Sequence, residues 1–407
     1  MKSHLKSVVR DIRAVCPILA GMFVGMAALS GCSSSSNVSS QSPPFGVIST
    51  VAGGGNSCPP STTGCLATST QLPGPMGVVV DASGNLLIGT YEGGPTYGEV
   101  FGVAANAHMI SSAASAGFGY GAAGMAADGA GNLFIADQIN NLVEKGKVLV
   151  SAAGVITITG IATVAGGGSG CSQQTDSLGD GCPATSAVLS GPTGVALDAS
   201  GNLYIADSHN NRVRKVTAAN GVISTVAGNG TAGFVDNTSA INAELNYPIA
   251  VAVDASGNLY VTDQWNNRIR KVSVSTGNIS VIAGSGPTNC QSSCGGYSGD
   301  GATATSARLD TPSGIAVDSS GNLYIADENN YRVRKVDASG SITTVAGVGQ
   351  SCLGLSCNGQ YGGFSGDGGD ATKAALNLPT GVAVDGSGNL YIADSGNNRI
   401  RMVNASK

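Results

Sequence analysis

Charge, aromatic rings and histidine are all scarce in this chain. Of its 407 residues 11% are charged and 5% are aromatic, with one tryptophan and three histidines. So few charges exclude coiled coils and long solvated helices, whose surfaces need them. With His4, His108 and His209 as the whole histidine complement, a multi-histidine metal centre is excluded as well. No Gly-x-Ser-x-Gly elbow and no Cys/His dyad occurs, which removes the commonest nucleophilic hydrolases. No G-X-Y period runs through the chain, so it is not collagen-like. Glycine is abundant instead, at 62 residues, twice the usual ~7%. Together with 42% hydrophobic residues, that frequency points to an all-β protein with many tight turns.

The first residues carry an address. Lys2, Lys6, Arg10 and Arg13 precede an apolar run at 16–29, the pattern of an export signal and too short for a comfortable membrane span. The run ends in Leu29-Ser30-Gly31-Cys32, which resembles the lipobox of bacterial lipoproteins. That resemblance implies cleavage before Cys32 and a lipid on its thiol. Ser33 in place of Asp implies, by the same resemblance, the outer membrane of a bacterial cell envelope. The serines of 33–36 and the Pro43-Pro44 pair cannot bury enough apolar surface to fold. The expected organisation is a lipoprotein signal peptide at 1–31, the lipidated Cys32 with a flexible tether at 32–45, and one folded domain at 46–407. Losing residues 1–31 moves the net charge from −5 to −8. A domain this acidic has no electrostatic footprint for phosphate backbones, so nucleic acid is not an expected partner. The membrane is expected to be met through the lipid alone, and the domain to be a monomer.

Self-comparison finds one motif six times, anchored on Gly-Asn-Leu at Gly84, Gly131, Gly201, Gly257, Gly321 and Gly388. The third copy shows it in full. Pro192-Thr193-Gly194-Val195-Ala196-Leu197-Asp198 runs through Ala199-Ser200-Gly201-Asn202 into Leu203-Tyr204-Ile205-Ala206-Asp207. After Ser208-His209-Asn210-Asn211 come Arg212-Val213-Arg214-Lys215-Val216 and then Ile223-Ser224-Thr225-Val226-Ala227-Gly228. The apolar, β-prone runs read as four short strands. Asp-Ala-Ser-Gly-Asn between the first two is hairpin chemistry, a type I turn with glycine in the left-handed position. Arg-Val-Arg-Lys-Val alternates basic with apolar, as a strand with one wetted face does. Four antiparallel strands per unit, repeated radially, make a propeller blade. The sixth copy stops after Arg399-Ile400-Arg401-Met402-Val403 without a fourth strand, and the missing piece stands at the other end as Val47-Ile48-Ser49-Thr50-Val51-Ala52-Gly53. The prediction is therefore an all-β six-bladed propeller of four-stranded antiparallel blades, with the N-terminal strand closing the last blade and leaving no open edge.

The Pro-x-Gly-Val-Ala-Val-Asp lead, Gly-Asn-Leu-Tyr-Ile-Ala-Asp and Asn-Asn-Arg-Val-Arg-Lys-Val resemble the repeat of the NHL family of six-bladed propellers. The resemblance covers about 46–404 and is strongest in copies three to six. Thr90 replaces the strand-two Asp in the first copy and Leu142 the Arg in the second, so those blades are expected to be irregular at their outer edge. Known relatives bind proteins or RNA, act as extracytoplasmic sensors, or are lyases and lactonases, so the resemblance selects no single function.

Eight further cysteines fall in four local pairs, Cys58/Cys65, Cys171/Cys182, Cys290/Cys294 and Cys352/Cys357, each just after a fourth strand. In an exported protein they read as four loop disulfides. Strand parity puts these loops on the same rim as the turns between strands two and three. That rim is variable, whereas the Ala-Ser-Gly-Asn rim is monotonous, so ligand contact is expected on the variable one. The two residues after the strand-two Asp differ between blades, which makes Gln264, Trp265, His209 and Glu328 candidates for ligand contact. Tyr91, Glu92 and Tyr97 of the first blade are further candidates. Trp265 either stacks on a sugar or partner, or packs on a neighbouring loop. His209 is either a base or metal ligand, or a solvent histidine. Asp207, Asp263, Asp327 and Asp394 stand five residues before Arg212, Arg268, Arg332 and Arg399. That spacing predicts a cross-turn ion pair in each blade, with a ring of acids around a cation as the alternative. No cofactor is expected. Ca²⁺ in the loops with Asp300, Asp367 and Asp370 is the open exception, against a plain structural role. The functional expectation is a non-catalytic scaffold for a protein, peptide or glycan; the alternative is a metal-dependent lyase or lactonase.

Overall fold

In the computed structural model, residues 46–56, 65–91, 98–118, 124–291, 294–349 and 363–405 are described. They form six antiparallel sheets, numbered here as blades 1–6 along the chain. Blade 3 is the regular type. Its inner strand Pro192–Leu197 pairs with Leu203–Asp207, then Arg212–Val216, then the outer strand Ile223–Ala227. The tight turn after the inner strand is held by Asp198, whose Oδ1 accepts the Ser200 and Asn202 amides at 2.9 Å each. Gly201 there has φ +78°, a conformation that costs glycine nothing.

Ring closure is as the repeat arithmetic predicts. Ile48–Gly53 pairs with Arg399–Val403 and is the outer strand of blade 6. Two sheets carry more than four strands: Cys65–Leu66 adds to blade 1 and Thr238–Ser239 to blade 4. The expected irregularity of the first two blades takes the form of long outer strands, Met109–Phe118 in blade 1, and Leu142–Val150 with Ile156–Gly166 in blade 2. The hydrophobic core is divided into six clusters, one between each pair of neighbouring blades. Ile48 lies between blades 5 and 6 with Val333 and Ile392, and Ala52 lies between blades 6 and 1 with Phe101 and Ile400.

The third strand departs from the one-wetted-face reading. Its first Arg and its Lys are partly exposed, but the second Arg (Arg214, Arg270, Arg334 and Arg401) is fully buried. The expected Asp–Arg pairs at a spacing of five are therefore corrected. Asp207, Asp263, Asp327 and Asp394 bond instead to the buried arginine seven residues on, at 3.3, 2.9, 3.1 and 3.3 Å. Lateral register does put Asp207 opposite Arg212. The Arg212 side chain, however, turns outward to Asp176 in the preceding loop.

The other side of each buried guanidinium meets a second carboxylate from the loop leading into the blade: Asp180, Asp236, Asp300 or Asp367. Two of the acids behind the calcium alternative, Asp300 and Asp367, thus receive Arg334 and Arg401. Asp370, the third, accepts the Thr372 amide at 3.0 Å. An Asp–Arg–Asp clamp therefore ties loop, strand two and strand three together in blades 3–6. Blades 1 and 2 lack it, because Phe101 and Glu144 occupy the register of the arginine, opposite Ile88 and Ile135.

Disulfides join Cys171 to Cys182 and Cys290 to Cys294. Cys65 is disulfide-bonded too, while Cys58, Cys352 and Cys357 lie outside the described residues. The stapled loop of blade 4 touches the turn between strands two and three directly, since the Cys290 amide donates to the Trp265 carbonyl. The two kinds of loop share one rim, as strand parity requires.

Candidate functional site: the mouth of the central channel

In blades 3–6 strand two ends in Asp, and the next three residues make one turn of 3-10 helix: Ser208–Asn210, Gln264–Asn266, Glu328–Asn330 and Ser395–Asn397. The turn is over-determined. Asp207 accepts the Ser190 amide at 2.7 Å and the Asn210 side-chain amide at 2.9 Å, besides Arg214. The next residue, Asn211, has φ +51°, and its side-chain oxygen accepts the Tyr247 amide at 2.9 Å at the head of the following blade. The Asp-x-x-Asn-Asn run thus closes its own turn with the first Asn and reaches the neighbouring blade with the second. Such a turn keeps its shape whatever its first side chain is.

That first side chain lies against the heads of the inner strands. In blade 3 the Ser208 hydroxyl is tied to Thr193 and to the Pro248 carbonyl, and in blade 6 Ser395 bonds in the same way to Thr380 and the Pro75 carbonyl. The longer Gln138, Gln264 and Glu328 of blades 2, 4 and 5 line a cavity of about 410 Å³ at the channel mouth. Its walls are the heads of the inner strands, with Val78, Val195, Val251, Ile315 and Val382 among them. Apolar walls with a few converging polar groups are the usual character of a small-ligand site. Burial in the mouth pushes the Glu328 carboxyl up to about 7, against the opposing effect of a hydrogen bond from Ser313.

Of the candidates named from sequence, the structure brings Gln264 and Glu328 together on this cavity. Trp265 and His209 stand beside it, on either side of a residue that sequence reasoning missed. Tyr247 stacks on Trp265 with ring centroids 4.4 Å apart and 11° between planes, and its ring lies 5.6 Å from that of His209. Trp265 therefore packs on the loop of its own blade. The Tyr247 hydroxyl accepts a 3.4 Å bond from Gln138 of blade 2, so the phenol reaches over the small Ser208 of blade 3. Tyr247 has φ +56°, strained for a bulky residue, where Gly74 and Gly191 precede the proline of blades 1 and 3. A large side chain before a blade-leading proline was the signal for it. Tyr91 is exposed and does not line the cavity, and Glu92 and Tyr97 lie outside the described residues. Among the described residues no three His, Cys, Asp or Glu are grouped to hold a metal ion.

Among solved structures the fold is similar to an auxiliary nutrient binding protein from Bacteroides ovatus, with TM-score 0.60 and 16% identity over 89% of this chain and 78% of that one. It is similar also to a protein of unknown function from Bacteroides thetaiotaomicron, with TM-score 0.59 and 18% identity over 88% and 75%. At these identities the likeness concerns the fold. By sequence, the chain is 33% identical to human Teneurin-4 over 298 residues, and 30% identical to Teneurin-1 of Gallus gallus over 389 residues. These alignments cover 68% and 90% of this chain but 10% and 14% of the relatives' own length. The Teneurin NHL domain model matches residues 43–234, 231–337 and 332–404. The chain therefore belongs to the Teneurin NHL domain family.

Proposed function

We propose that this propeller is a non-catalytic binding module, tethered to a bacterial outer membrane through a lipid on Cys32, that takes a protein, peptide or glycan ligand at the channel mouth. The observation that carries the reading is the convergence of Gln138, Gln264, Glu328 and Tyr247 on one open, apolar-walled cavity. Among the described residues a lone carboxylate lines it, which is no ligand set for the metal-dependent lyase or lactonase alternative. The fold is also one used by proteins described as auxiliary nutrient binding.

The test is a thermal-shift panel of glycans, peptides and small metabolites. At a hundredfold excess over Kd a ligand adds about 2.7 kcal/mol of stability, a measurable rise in Tm. Gln264→Trp, which fills the mouth, is expected to abolish that rise. Ser256→Trp, on the opposite rim, is expected to preserve it. The reverse pattern would move the site to the other face. The anchor has its own measurement: blocking lipoprotein signal processing with a globomycin-type inhibitor should leave a larger precursor, and an unchanged size would remove the lipid from the proposal.

A further inference from the structure

Among the described residues one charged side chain lines the channel mouth. Glu328 is the sole carboxylate among the lining residues, none of which is lysine, arginine or histidine. The same turn position carries Gln138, Ser208, Gln264 and Ser395 in blades 2, 3, 4 and 6, all neutral. In blades 3–6 the strand-two carboxylates are each matched by a guanidinium: Asp207 by Arg214, Asp263 by Arg270, Asp327 by Arg334 and Asp394 by Arg401. Glu328 makes no ion pair among the described residues, and the Ser313 hydroxyl that bonds to it shares its one proton with the Thr380 carbonyl 3.0 Å away. A carboxylate drawn out of water is normally balanced by a cation or by several donors. Here the protein supplies one hydroxyl.

We infer that the channel mouth binds an organic ammonium group, with Glu328 as its counter-ion. The inference rests on the mouth being the binding site. An ammonium carries three donors, and the side-chain carbonyls of Gln264 and Gln138 stand on the same cavity to accept those that Glu328 does not. Val251, Ile315 and Val382 offer apolar wall to an aliphatic body. An anion meets the wrong charge. A bare divalent ion wants several charged or carbonyl oxygens, and the site has one carboxylate. A volume of about 410 Å³ suits a short amine, supplied either as a free small molecule or as a lysine side chain of a peptide.

Ligand-observed NMR titration of the purified full chain tests this. The probes are n-pentylamine, pentan-1-ol and pentanoate, with acetylated and amidated Gly-Lys-Gly against Gly-Gln-Gly to separate peptide from free amine. At pH 8 the amine is expected to bind on the order of tenfold tighter than the alcohol, the worth of one charge-assisted hydrogen bond. In Glu328→Gln, with its melting curve as a folding check, that ratio should fall to about one. Amine affinity should also rise between pH 5.5 and 8 in the wild-type chain, as Glu328 loses its proton near 7, and be flat in the variant. Tyr247 is the other titratable residue of the lining; the adjacent Asp327, which burial pushes up to about 6 against its bond to Arg334, is common to both proteins, so the flat profile of the variant separates its titration from that of Glu328. Alcohol or pentanoate binding as tightly as the amine, or a ratio unmoved by Glu328→Gln, would overturn the cation assignment and leave the mouth as a site. No binding by any probe would overturn both.

Discussion

Replacing Arg334 with alanine is expected to lower the unfolding free energy by about 3–5 kcal/mol, the cost of leaving buried charge without its partner. The guanidinium is fully buried, 3.1 Å from Asp327 and 2.6 Å from Asp300. It also donates to the Ser298 carbonyl at 3.2 Å and lies 4.8 Å from the centre of the Tyr297 ring. Its neighbour Arg332 provides the contrast. That side chain is partly exposed and bonds to the Gly347 and Val348 carbonyls, so Arg332→Ala should cost about 1 kcal/mol. Removing all three charges together, as Arg334→Leu with Asp300→Asn and Asp327→Asn, should recover most of the loss, because the penalty lies in unpaired charge rather than in a missing contact. Urea denaturation of the variants reads each step. Equal costs for Arg332→Ala and Arg334→Ala would show that the clamp does not hold the blade.

The second large effect is expected at the seam. Deleting residues 46–54 strips the outer strand from blade 6 and leaves the edge of Arg399–Val403 unpaired, an invitation to intermolecular pairing. It also takes Ile48 and Ala52, both fully buried, out of two different inter-blade clusters. Differential scanning calorimetry should show a lower Tm for the whole ring, and size-exclusion chromatography should show self-association. The milder Ile48→Ala is expected to cost about 2–5 kcal/mol, as for other large-to-small core substitutions. An unchanged Tm for the deletion would mean that the ring stays shut without its N-terminal strand.

Most of the scaffold was legible in the sequence because it repeats. The turn glycines, the Asp-x-x-Asn-Asn run and the orphan strand at 47–53 each encode a local event, and a period of two or three residues reveals it. The buried arginines were not legible that way. Alternation tells which face of a strand Arg214 occupies, but not whether water or a loop covers that face. The loop carboxylate lies 34 residues upstream of its arginine in every clamped blade, as in Asp180–Arg214, Asp236–Arg270, Asp300–Arg334 and Asp367–Arg401. That constant offset across loops of different sequence was the available signal. At the site, the turn positions were legible because they vary while their frame does not, and Gln264 and Glu328 were found that way. Tyr247 was not, since its place in the mouth depends on a left-handed backbone before Pro248 and on the bond its amide donates to Asn211 in the preceding blade.

The clamped turns have an evolutionary corollary. Because the Asp–Arg–Asp unit and the asparagines hold the backbone, the first turn residue does not have to set the shape of the turn, although in blades 3 and 6 its hydroxyl also bridges to the next blade. Selectivity at the mouth is then written in a few single-codon positions, Gln138, Gln264 and Glu328 in blades 2, 4 and 5, whose backbone is set by other residues. A lineage retuning this propeller for a new ligand needs no loop remodelling; exchanging Gln and Glu at these positions changes the polarity of the opening one sector at a time.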